Sequence, residues 1–213
     1  MKKLLLSIAA ACLAGFIYAQ EAPLWMRHCA ISPDGTTIAF SYKGDIYTVP
    51  VGGGRAMQVT TNPAHDTAPV WSPDSKRIAF ASDRMGSMDV YIVSKEGGEP
   101  RRLTTHSGNE TPLAFVDAGH VLFSAGIMPS AEAVVFPSNG QFNQVYQVSV
   151  EGGRPTMVSS MPMECISINK EGAMLYQDKK GYEDYWRKHH VSPIARDIWM
   201  YTPGKEPKYR QLT

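Results

Sequence analysis

The sequence predicts an all-β chain organised as a β-propeller, four four-stranded blades that form part of a longer ring. Three observations predict it. First, Ile31-Ser32-Pro33-Asp34-Gly35-Thr36-Thr37-Ile38-Ala39-Phe40 recurs as Trp71-Ser72-Pro73-Asp74-Ser75-Lys76-Arg77-Ile78-Ala79-Phe80, displaced by 40 residues. A period of that length with four strands per unit belongs to propeller blades. Second, each unit carries short runs rich in Val, Ile, Tyr and Phe between Asp-Gly, Gly-Gly or polar turns, the pattern of antiparallel hairpins. Third, 18 Gly and 15 Pro in 213 residues suit a chain broken by many turns and disfavour long helices.

The elements follow in chain order. Lys2 and Lys3 precede an apolar run from Leu4 to Tyr18 with the small residue Ala19 after it, which reads as a secretory signal peptide over 1–19. The run is shorter than the roughly 20 residues a spanning helix needs, and no later segment is long and apolar enough to cross a bilayer. An exported product, periplasmic or secreted, with no membrane span after cleavage is expected. The propeller then occupies 20–213, with blade 1 at about 23–61, blade 2 at about 68–105, blade 3 at about 111–160 and blade 4 at about 163–213.

In blade 1, Asp45-Ile46-Tyr47-Thr48-Val49 leads to Gly52-Gly53-Gly54 and then Gln58-Val59-Thr60. Blade 2 repeats this as Asp89-Val90-Tyr91-Ile92-Val93, Gly97-Gly98 and Arg102-Leu103-Thr104. Blade 3 is degenerate at its first turn (Phe115-Val116-Asp117-Ala118) and recovers in Gln144-Val145-Tyr146-Gln147-Val148, Gly152-Gly153 and Met157-Val158-Ser159. Blade 4 runs through Ile168-Asn169-Lys170-Glu171-Gly172, then Asp197-Ile198-Trp199-Met200-Tyr201, and reaches Gln211-Leu212-Thr213. Ile38, Phe40, Ile46, Tyr47, Ile78, Phe80, Val90 and Tyr91 are expected between blades, while Asp34, Asp74 and Asp83 are expected to bond backbone amides. No spare strand is left at either end to close the ring, so the two terminal blades are expected to present unpaired apolar faces. Cys29 and Cys165 fall on first strands of blades 1 and 4, too far apart for a bridge. Two free thiols with packing roles are expected.

Chemistry is sparse. The formal charge is +1, from 21 basic and 20 acidic side chains, which argues against a nucleic-acid partner. There is no Gly-x-Ser-x-Gly elbow, His-Glu-x-x-His, Cys-x-x-Cys, calcium loop or phosphate-cradling loop. No catalytic residue, metal ligand or cofactor site is assigned. Two inserts interrupt the period, Ala125 to Phe142 and Asp178 to Ala195, and loops of that length tend to carry function. Both leave the same type of hairpin, so both emerge from one face. The second insert supplies the candidate contact for a peptide or partner: Tyr185, Trp186, Arg187, Lys188, His189 and His190, joined by Arg196. A solvated loop with an aromatic plug is the competing reading of the same residues.

The Ser-Pro-Asp-Gly, Ile-Ala-Phe, Asp-Ile-Tyr, Gly-Gly and Leu-Thr pattern resembles the TolB-type, WD-like β-propellers. More narrowly, residues 23–213 resemble the N-terminal six-bladed propeller of tricorn-type serine proteases, which implies that the four blades belong to a six-bladed ring. Pro23-Leu24-Trp25-Met26-Arg27, Gly44-Asp45-Ile46-Tyr47 and Ser82-Asp83-Arg84 carry that resemblance. So do Tyr182-Glu183, Trp186-Arg187-Lys188-His189-His190 and Ala195-Arg196-Asp197-Ile198-Trp199. The resemblance implies a non-catalytic domain that gates or binds peptide or unfolded polypeptide, with the catalytic residues in downstream domains of the same protein. Homo-oligomerisation stays open. Two alternatives remain: a stand-alone TolB-like interaction propeller of the cell envelope, and the propeller of a prolyl-oligopeptidase-type enzyme.

Overall fold

The computed structural model describes residues 25–126, 143–161, 163–169, 171–178 and 196–213. Those residues form four antiparallel four-stranded sheets, each a simple meander, and no helix. The first holds β1 (Arg27–Ile31), β2 (Thr37–Tyr42), β3 (Asp45–Pro50) and β4 (Met57–Gln58). The second holds β5 (Asp66–Trp71), β6 (Arg77–Ser82), β7 (Asp89–Ser94) and β8 (Arg101–Arg102). The third holds β9 (Glu110–Asp117), β10 (His120–Ala125), β11 (Gln144–Ser149) and β12 (Thr156–Ser159). The fourth holds β13 (Met163–Ile168), β14 (Met174–Asp178), β15 (Ile198–Thr202) and β16 (Lys208–Gln211). The signal-peptide reading lies outside the described residues.

Turn chemistry fixes the first hairpin of each sheet. Ser32 Oγ donates to Asp34 Oδ1 at 2.5 Å, and the same oxygen accepts the Thr36 amide at 3.0 Å. Ser72 and Asp74 repeat the arrangement at 2.5 Å, with the Lys76 amide at 3.1 Å. Gly35 sits at φ 71°, where a side chain is strained, and the second copy tolerates Ser75 at φ 58°. Held by Ser32 first and by Thr36 second, the Asp34 carboxyl is lowered to about 2. Asp83 accepts the His65 amide at 2.7 Å. The three aspartates thus bond backbone amides, as their turn positions predict.

A second device locks the outer strands. The Ile46 amide donates to Thr60 Oγ1 at 2.9 Å, Val90 to Thr104 at 2.9 Å, and Ile198 to Thr213 at 2.8 Å. This explains the Thr that recurs at the end of the first, second and fourth units. It also explains how β4 and β8, only two residues long, stay attached.

Packing is directional. On each sheet one face carries an aromatic pair in register: Phe40 with Tyr47, Phe80 with Tyr91, Phe123 with Tyr146, and Tyr176 with Trp199. Side chains one position along a strand point to the opposite face, and there the residues are aliphatic. Ala39, Ile46 and Val59 of the first sheet therefore meet Trp71, Phe80 and Tyr91 of the second. Ala79, Val90 and Leu103 meet Phe115, Phe123 and Tyr146, and Leu122 and Val145 meet Met174, Tyr176 and Tyr201. Burying a side chain such as Ile46 or Val90 in these seams contributes about 2 kcal/mol. At the ends the pattern has no neighbour. Ile38 and Tyr47 on the aromatic face of the first sheet are only half-buried, against the expectation for core residues. Leu175, Ile198 and Leu212 on the aliphatic face of the fourth are 43%, 46% and 43% exposed.

Candidate functional site

The first strands of successive sheets lie against one another, β1 by β5, β5 by β9 and β9 by β13. Each pairs with its own second strand on one edge only, so these four strands form the inner wall of the assembly. Between them lies a cleft of about 540 Å³ whose wall includes Ile31, Val70, Leu113, Ile166 and Ile168. The first turns of the sheets rim it with Pro33, Pro73, Asp117 and Asn169. Ile31 is 60% exposed, an apolar side chain offered to the cleft rather than packed away. An inner wall of unpaired strand edges with apolar side chains suits an extended polypeptide, which bonds through its main chain and fits through its side chains.

A repeated irregularity shapes this wall. The register of β1, β5 and β13 skips against its partner between Arg27 and Ala30, between Thr67 and Val70, and between Glu164 and Ser167. At each skip one non-glycine residue takes the left-handed conformation: His28 at φ 51°, Ala68 at 52° and Cys165 at 52°. Such a bulge bends the strand and re-aims its side chains. One consequence is visible at the first seam, where His28 Nδ1 and Thr67 Oγ1 approach to 2.9 Å. Sequence reasoning missed these bulges, because His, Ala and Cys carry no turn signal. Cys29 and Cys165 are free, as expected, but both are exposed on inner strands rather than packed in a core.

The end of the wall from which both inserts depart is polar. Arg196 Nη1 donates to Glu164 Oε2 at 2.6 Å, tying the end of the second insert to β13. Of the sequence-predicted contacts, Arg196 is thus placed beside the inner wall. Tyr185, Trp186, Arg187, Lys188, His189 and His190 lie outside the described residues. Both inserts leave equivalent hairpins, β10–β11 and β14–β15.

Two buried ionic clusters near this end were not anticipated. Asp66, at the start of β5 and fully buried, accepts two bonds from Arg84 Nη2 at 3.0 Å each, and Arg84 also stacks on Tyr91, 4.5 Å from the ring centroid. At the equivalent position of β9 stands Glu110, also fully buried. Its neighbour Asp89, at 0% side-chain exposure, pairs with Arg102 Nη2 at 2.8 Å. Among the described residues no group of three His, Cys, Asp or Glu could hold a metal.

Residues 23–213 match the family model described as the tricorn protease N-terminal beta propeller domain. The chain belongs to that family. It is 35% identical over 180 residues to tricorn protease homolog 1 of Streptomyces coelicolor, covering 84% of this chain but 16% of that protein. The crystal structure of the tricorn protease superposes with TM-score 0.63 at 14% identity, over 90% of this chain and 23% of that one. The putative TolB of Agrobacterium tumefaciens gives TM-score 0.65 at 16% identity, over 88% of this chain and 62% of that one. The structural likenesses show the fold alone, and the propeller assignment rests on the family model and the four sheets together. The chain spans about a sixth of the length of its tricorn-type relative.

Proposed function

We propose that this chain is the non-catalytic propeller of an exported, tricorn-like serine peptidase, and that its central cleft binds peptide or unfolded polypeptide passing to or from catalytic domains elsewhere in the protein. The carrying observation is the inner wall: four strands with one free edge each, around an apolar cleft of about 540 Å³. Family membership supports the peptidase context, and the Lys2-Lys3 segment with its apolar run supports export. The bare faces of the first and fourth sheets support further blades, and six in all is the number that the tricorn-type resemblance implies. Arg196, with Tyr185, Trp186, Arg187, Lys188, His189 and His190, is proposed to contact the peptide or an adjoining domain at the insert-bearing face.

The test is binding of a labelled, unfolded polypeptide to the intact protein and to its Ile166→Glu variant. A charge placed on the apolar wall is expected to weaken binding by roughly tenfold or more, at about 1.4 kcal/mol per factor of ten. Unchanged affinity in a folded variant would overturn the reading. A TolB-like interaction propeller that works without protease domains is the second reading, carried by the repeated Ser-Pro-Asp-Gly, Asp-Ile-Tyr and Gly-Gly pattern that TolB-type propellers share. It requires a gene product without a peptidase core.

A further inference from the structure

The three seams differ at one matching position. At the first it is Asp66, bonded twice by Arg84; at the third it is Met163, apolar and 3% exposed. At the second it is Glu110, which is fully buried and receives no well-formed hydrogen bond at either carboxyl oxygen. Its amide is bonded to Met88 O at 2.7 Å, as that of Asp66 is to Gly44 O at 2.7 Å, so the backbone anchors both carboxyls against the preceding sheet. The groups that face Glu110 are Asp89 of β7, Arg102 of β8 and the hydroxyl of Thr104 just beyond it. His106, in the connection to β9, acts on Asp89. Arg84 is committed to Asp66. Arg102 pairs directly with Asp89 at 2.8 Å and acts on Glu110 through its charge alone, so two buried carboxyls, each acting on the other, face one guanidinium across the seam.

We propose that Asp89, Glu110 and Arg102 form a proton-operated latch across the seam between the second and third sheets, closed while the two carboxyls share a proton and loosened when it leaves. In the closed state Glu110 donates its proton to ionised Asp89, whose charge Arg102 balances. Losing that proton leaves two buried anions facing one cation whose side chain is 27% exposed, so their repulsion is only partly offset. Burial raises the Glu110 carboxyl from 4.5 to about 7, with Asp89 reinforcing the shift. Because the folded value is the higher one, the latch is fully closed below the unfolded value and weakens as pH rises through the folded one. The seam borders the inner wall, so its opening would change the cleft.

Hydrogen exchange of peptides covering β7 and β9, corrected for the intrinsic rate, tests this in the intact protein. One proton linked to opening raises exchange about tenfold per pH unit between pH about 5 and about 7. Glu110→Gln, which mimics the protonated carboxyl, is expected to remove that slope and keep the seam protected at both ends of the range. His106→Gln is expected to leave the slope in place. A slope unchanged in Glu110→Gln, or absent from the unmodified protein, would overturn the latch. Should Glu110→Gln fail to fold, the infrared carbonyl band of a protonated carboxylic acid in the unmodified protein decides. The latch predicts that it disappears on raising the pH through about 7, and its absence at pH about 6 contradicts the proposal.

Discussion

In the second sheet Val90 and Leu103 are 0% and 3% exposed, while the matching Ile198 and Leu212 of the fourth are 46% and 43%. Strand order and the Thr lock are alike in both. What differs is the neighbour: the second sheet is covered on both faces, the fourth on its aromatic face only. Burial here is a property of the seam between sheets and not of the sheet itself. Each seam is made of one aliphatic and one aromatic face, so a sheet left at an end exposes whichever half it cannot match.

Mutations in the two sheets should separate these contributions. The largest effect is expected for Phe80→Ala, which opens a cavity in a filled seam and costs about 3–5 kcal/mol in denaturant unfolding. Trp199→Ala, at the matching aromatic face but half-buried, is expected to cost clearly less. Asp66→Asn leaves the mostly covered Arg84, 13% exposed, without its counter-charge, at about 2–3 kcal/mol. Arg196→Ala, which removes the exposed pair with Glu164, stays below about 1 kcal/mol. Ala79→Ser puts a hydroxyl into a fully buried site for about 1–3 kcal/mol, whereas Leu175→Ser, its counterpart on the bare face, changes the stability of residues 1–213 by less than about 0.5 kcal/mol. Equal costs at positions 79 and 175 would mean that the bare face is not bare.

How much of this could be read in the sequence depends on where the physics acts. Turns act locally, so Ser32-Pro33-Asp34-Gly35 and its copy disclosed hairpins, period and the amide-bonding roles of Asp34 and Asp74. The aromatic pairs were legible as core, but Ile38 and Tyr47 were not legible as half-buried, since that depends on a sheet the first one does not meet. Asp66 and Glu110 left no local trace. Their partners lie 18 residues away for Arg84 and in the preceding sheet for Asp89, so only the packed topology brings them together. The inner-wall bulges at His28, Ala68 and Cys165 are imposed by that same topology on residues without a turn preference.

The bare face of the fourth sheet is expected to be covered in a further seam of the intact protein. Leu175→Cys, in a background with Cys12→Ser, Cys29→Ser and Cys165→Ser, allows thiol labelling at that face to be followed by mass spectrometry. Labelling in the intact protein is predicted to be slower by on the order of a hundredfold than in residues 1–213 alone, as for a site that reacts only on local opening. Equal rates in the two would contradict the account.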